Sequence, residues 1–123
     1  MPNVTVDGPA AARLWTEWAA AARHLSRALA ARGSDFDSAL KSARAATYER
    51  AVALMHTDPD HAAQLMLNNA VESLVRTAPL VGFDAAAVRY TVARAWQRCA
   101  LMLDPSLTEV QPLWTESWQQ VSP

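Results

Sequence analysis

Alanine-rich runs punctuated by aspartate constrain this chain more than any other feature. Alanine dominates from Ala10 to Ala100, isoleucine is absent throughout, and the cations are ten arginines and the single Lys41. Alanine loses no side-chain entropy in a helix, and arginine and leucine lose little, so these runs favour helices. A sheet would call for β-branched and aromatic residues in two-residue alternation, which the chain lacks. The expected fold class is therefore all-α.

Asp7, Asp35, Asp58 and Asp84 each stand ahead of such a run, where a carboxylate accepts from free backbone N–H groups and faces the positive end of a helix. Pro9 and Pro59 sit where a missing N–H costs nothing, and Gly33 and Gly82 sit just past two expected ends. These marks predict helices over residues 9–32, 35–56, 59–78 and 84–103. Short connections between them favour antiparallel neighbours, hence an up-down bundle of four main helices.

Spacing also predicts faces. The first helix lines up Trp15, Trp18, Ala22, Leu25 and Leu29, and the fourth lines up Val88, Val92, Ala95, Cys99 and Met102, widened by Trp96 and Leu103. The third turns Met66, Leu67, Ala70, Val71, Leu74 and Ala78 one way, with His61, Gln64, Asn68 and Glu72 opposite. In the second, Phe36, Leu40, Ala43, Tyr48, Val52 and Met55 drift around the axis, which suits burial on two sides. After Ala100 alanine disappears. Asp104-Pro105 stops the fourth helix, Ser106 with Glu109 suggests a capping box, and Pro112 suits the start of a short helix through Gln120 carrying Trp114, Trp118 and Val121. The domain expected is one unit over 1–123, a bundle at 9–103 with segment 104–123 packing back on it, because exposed tryptophans are a large apolar area to leave in water.

With 11 basic and 12 acidic side chains in 123 residues, the net charge of −1 gives no diffuse positive field for nucleic acid or an anionic membrane. No run approaches the length of a membrane span, and the N-terminus lacks signal-peptide regions, so a cytoplasmic location is expected. A lone Cys99 makes neither an internal disulfide nor a cysteine-based zinc site and reads as core filler.

The cluster His56-Thr57-Asp58-Pro59-Asp60-His61 holds metal-ligand residue types in His56, Asp58, Asp60 and His61. Zinc would need at least three of them to converge. Helix capping and dipole roles account for the same residues, so no metal and no cofactor is assigned. Glu17, Glu49 and Glu72 lack a histidine three residues on, which sets aside a di-iron bundle. Glu17 with Arg13 and Glu72 with Arg76 are expected as solvated pairs one turn apart. Arg50 and His56, six positions apart, loosely resemble the arginine–histidine pattern of the HEPN helical ribonucleases over that short stretch. Their order relative to the following helix is reversed, and no activity is carried over. Glycine-rich phosphate loops and nucleophile elbows are missing from the sequence.

The first functional expectation is a small non-enzymatic interaction, adaptor or regulatory protein, a homo-oligomer or a binder of a protein partner, acting through tryptophan-rich helix faces. Trp15, Trp18, Tyr48, Trp96, Trp114 and Trp118 are its interface or pocket candidates. An alternative is a small-molecule-binding bundle, which could be an enzyme, with those rings as walls and Glu49, Arg50 and His56 as polar handles. A second alternative is a DNA-binding regulator reading with residues 84–98, which carry Arg89, Arg94 and Arg98, although the near-neutral charge disfavours nucleic acid and no membrane partner is expected.

Overall fold

A computed structural model of the chain describes residues 7–77 and 83–110. These form α1 (Gly8–Ala31), α2 (Asp35–Thr57), α3 (Ala62–Thr77) and α4 (Phe83–Leu103), followed by a 3₁₀ turn over Pro105–Val110. The fold is an all-α bundle of four helices, with no strand among the described residues. No helix among them is long and apolar enough to cross a membrane.

The ends of α1 follow the sequence marks. Asp7 is extended, and its carboxylate accepts from the Ala10 N–H at 2.9 Å, with Pro9 in the first turn. At the other end the Gly33 N–H donates to the Ala30 carbonyl (3.0 Å) and the Ser34 N–H to the Leu29 carbonyl (2.9 Å). This double closure needs a left-handed residue, and Gly33 has φ +80°. Any residue with a Cβ would add about 1–2 kcal/mol of strain there.

The other aspartates act differently from the expected caps. Ser34 occupies the cap position of α2, and Asp35 and Asp37 lie in its first turn as partners of the helix dipole. Asp84 likewise lies inside the first turn of α4. Asp58 ends α2 rather than opening α3: its N–H donates to the Leu54 carbonyl at 2.9 Å, and its backbone has left the helical region at φ −150°, ψ 69°. A residue before proline is pushed out of the helical region, so Pro59 terminates α2 one residue upstream, and α3 begins only at Ala62. Beyond α4, Asp104 rather than Ser106 supplies the cap, accepting from the Ser106 N–H (3.1 Å) and Oγ (2.6 Å). Ala78, Gly82 and the predicted helix with Trp114, Trp118 and Val121 lie outside the described residues.

α1 and α2 pack as an antiparallel hairpin. Met55 closes on Gly8 so tightly that a Cβ there would come within 2.6 Å of its Cε, Tyr48 meets Trp18, and Ser38 meets Ser26. The two serines latch reciprocally, each Oγ donating to the other's carbonyl at 2.8–2.9 Å. α3 and α4 form the second pair, linked by Ser73 Oγ donating to the Arg89 carbonyl at 2.8 Å. The pairs join through α2 against α4, whereas α2 and α3 touch only lightly despite their short connection. The packing order is therefore α1–α2–α4–α3, not the sequential order that short loops suggest. Buried alanines on both central helices, Ala45 and Ala51 on α2 and Ala93, Ala95 and Ala100 on α4, leave room for that approach.

The core confirms some predicted faces and shifts others. On α3, Met66, Leu67, Ala70 and Leu74 are buried and His61, Gln64, Asn68 and Glu72 exposed, as the spacing requires. On α1 the buried stripe runs through Ala11, Ala12, Trp15, Ala19 and Ala22, and Leu25 is left 47 % exposed. The seam runs through the small residues. On α4, Ala95, Trp96 and Cys99 are buried, while Val88, Val92 and Met102 of the expected stripe are half-buried. Contact with both α2 and α3 spreads the burial of α4 around its axis.

Candidate functional site

The junction of α2 and α4 leaves a cleft of about 520 Å³, in the range of small-molecule sites. Arg44 and Tyr48 on α2 and Tyr90, Arg94, Gln97 and Arg98 on α4 shape its wall, and no described acidic residue lines it. Spacing explains the set: Arg44 and Tyr48, and Arg94 and Arg98, are each four residues apart and so share a helix face. The cations are braced by rings. The Arg98 guanidinium carbon sits 4.2 Å from the centre of the Trp18 ring, and Trp18 meets Tyr48 edge-on at 5.4 Å and 61°. The Arg94 guanidinium lies 6.0 Å from the Tyr90 ring centre, at the outer reach of a cation–π contact. Such stacking restricts a long side chain that would otherwise sample many rotamers.

Gln97 sits in this wall only 6 % exposed, and its Nε2 has no acceptor among the described residues. The other buried polar side chains are paired: Thr47 Oγ1 donates to the Ala43 carbonyl at 2.9 Å and Ser73 Oγ to the Arg89 carbonyl. A buried donor without a partner costs about 1–3 kcal/mol, so an amide held in this way calls for an explanation.

The opposite side of α2 is arranged differently. There Arg23 of α1 grips Glu49 through two parallel hydrogen bonds, Nε to Oε2 at 2.7 Å and Nη2 to Oε1 at 2.6 Å. The hydrogen bonds from Arg23 hold the Glu49 carboxyl below the usual carboxylate range, and the same pairing raises Arg23. This groove of about 470 Å³ holds that pair together with Arg27.

No protein-family model matches the chain, and no curated protein or solved structure does.

The residues singled out in the sequence are dispersed. Trp15 is fully buried, donating from Nε1 to Met102 Sδ at 3.3 Å, and belongs to the core. Trp18 and Tyr48 flank the cleft. Trp96 is buried, with the Arg50 guanidinium 5.3 Å from its ring centre in a smaller groove beside Asn69. Trp114 and Trp118 lie outside the described residues. Of the polar handles, Glu49 is taken by Arg23, Arg50 by Trp96, and His56 is exposed in the last turn of α2. His61 Nδ1 lies 3.0 Å from Asp58 Oδ1, but no three of histidine, cysteine, aspartate and glutamate gather to hold a metal among the described residues. Glu17 and Arg13 do not pair within 4.0 Å, whereas Arg23 and Glu49 do. Burial pushes the Cys99 thiol far up, so it stays protonated and is no nucleophile. The three arginines of α4 divide: Arg94 and Arg98 enter the cleft, while Arg89 lines the groove near Asn69 and Trp96.

Arg44, Tyr90 and Gln97 were not picked out as site residues from the sequence, although a signal for the cleft was present. Like charges four residues apart weaken a helix, so Arg94 and Arg98, with no acid on α4 beyond Asp84, mark a face whose charge has a use.

Proposed function

We propose that this chain is a small-molecule-binding helical bundle, with the cleft between α2 and α4 as its site. The three arginines around one opening of ligand size carry the reading, because no described acidic residue lines the cleft to pair with them. The braced positions of Arg98 and Trp18 support it, since a prearranged wall loses little freedom on binding. The charged residues of the wall are arginines, which do not give up a proton in proteins, so the reading is one of binding rather than general acid–base catalysis. An interaction surface built of tryptophans draws less support. Trp15 and Trp96 are inside, and the exposed large apolar side chains among the described residues, Leu25 and Val75, lie on different helices.

Native mass spectrometry of the protein as purified tests the proposal. A defined added mass that is lost when Thr91→Trp fills the cleft is the expected result. An added mass that survives that substitution places the ligand elsewhere, and a bare dimer that resists every added ligand returns the chain to the interaction reading.

A further inference from the structure

We infer that the ligand of the α2–α4 cleft is a small organic oxyanion, a phosphate monoester or carboxylate joined to a flat apolar body. The inference rests on the ligand-binding reading of the cleft and goes on to its chemistry. Arg44, Arg94 and Arg98 supply three guanidiniums around one opening, and no described carboxylate lines it. Elsewhere the protein shows what an internal partner looks like, in the two-pronged Arg23–Glu49 pair across α1 and α2. The cleft offers guanidinium donors without the acid. A guanidinium presents its N–H groups as a planar fork that matches the two oxygens of a carboxylate or phosphate.

Cations around the opening are complementary to a ligand of negative charge and mismatched to a cationic one. The apolar body follows from the rings: Tyr48 and Tyr90 line the cleft, and Trp18 stands behind Arg98. Nucleic acid fits less well. The cleft is concave and of small-molecule size, the net charge is −1, and Arg89 lies in a different groove from Arg94 and Arg98.

Four probes separate the possibilities when titrated into the full chain by calorimetry and thermal melting: phenyl phosphate, benzoate, inorganic phosphate and the neutral benzamide. The expected order places phenyl phosphate and benzoate above inorganic phosphate, with benzamide weakest and the anions losing affinity as potassium chloride is raised. Replacing Arg94→Gln and Arg98→Gln together lowers anion affinity by about tenfold or more, the loss expected for a charge-assisted hydrogen bond. Because that pair also removes the stack on Trp18, Thr91→Glu serves as a second variant. It keeps all three arginines and supplies an internal carboxylate, and it too is expected to lower anion affinity by about tenfold or more. Binding of benzamide equal to benzoate, or unchanged phenyl phosphate binding in both variants, overturns the oxyanion while leaving the cleft as a ligand site. If none of the four binds, the oxyanion inference falls, and the mass spectrum of the purified protein decides the cleft reading independently.

Discussion

The two sides of α2 use the same residue type to opposite effect. Toward α1, Arg23 is met by Glu49 at 2.6–2.7 Å; toward α4, Arg44, Arg94 and Arg98 line a cleft that no described acid enters. Both grooves are of similar size, about 470 and 520 Å³, so volume does not distinguish them. What differs is whether the protein completes its own hydrogen bonds. A groove in which Glu49 answers one of two arginines attracts an anion less than one in which all three arginines meet no acid. Buried polar groups carry the same contrast, with Thr47 and Ser73 paired to carbonyls and Gln97 Nε2 left without an acceptor among the described residues.

The largest effect is expected in the core that holds α1 against α4. Trp15 is fully buried and bonded to Met102, so Trp15→Ala removes the anchor of α1 against α4 and destabilises the fold by about 3–5 kcal/mol. Chemical denaturation measures this, and a folded variant that merely fails to self-associate would return Trp15 to an interface. Next comes the direct comparison of arginines. Arg98→Gln lowers the affinity for phenyl phosphate by about tenfold, and Arg23→Gln leaves it unchanged. Equal losses in calorimetric titrations would erase the distinction between the two sides of α2.

Gln97→Leu gives a smaller change with an informative sign. Removing a buried donor without an acceptor is expected to raise the stability of the protein by about 1 kcal/mol. A lower melting temperature in the absence of ligand would mean that the amide is satisfied within the fold. The smallest effect belongs to the paired groove. Because Arg23 depresses the Glu49 pKa, the pair adds stability above the unfolded carboxyl pKa of about 4.3 and loses it as pH falls through the lower folded value. Glu49→Gln should therefore flatten a slight acid-side slope in thermal melts below about pH 4, and added salt should flatten it in the parent protein.

Local chemistry made the helices legible. Asp7 caps α1 and Gly33 closes it because each acts on backbone groups within a few residues, so neither depends on the rest of the molecule. The split of α3 into a buried Met66–Leu74 face and an exposed His61–Glu72 face was legible for the same reason: a short helix with a single apolar side has one way to lie. Where two local devices compete, the reading slipped. Asp58 and Pro59 suit a helix start as well as a helix stop, and the restriction that proline places on the residue before it made them a stop.

The sequence by itself determined four helices, their approximate ends and an apolar face on most of them. Tertiary structure alone decided which faces meet. It set α2 against α4 instead of α3, left Leu25 outside while alanines entered the seam, and joined Arg23 to Glu49 across 26 positions. It also brought Arg44 to Arg94 and Arg98 over a buried glutamine. The physical reason is that periodicity fixes the direction of a side chain about its own helix axis, whereas pairing depends on how closely two backbones approach. That distance is set jointly by residues on both helices, far apart in the chain, and no single window of sequence contains them.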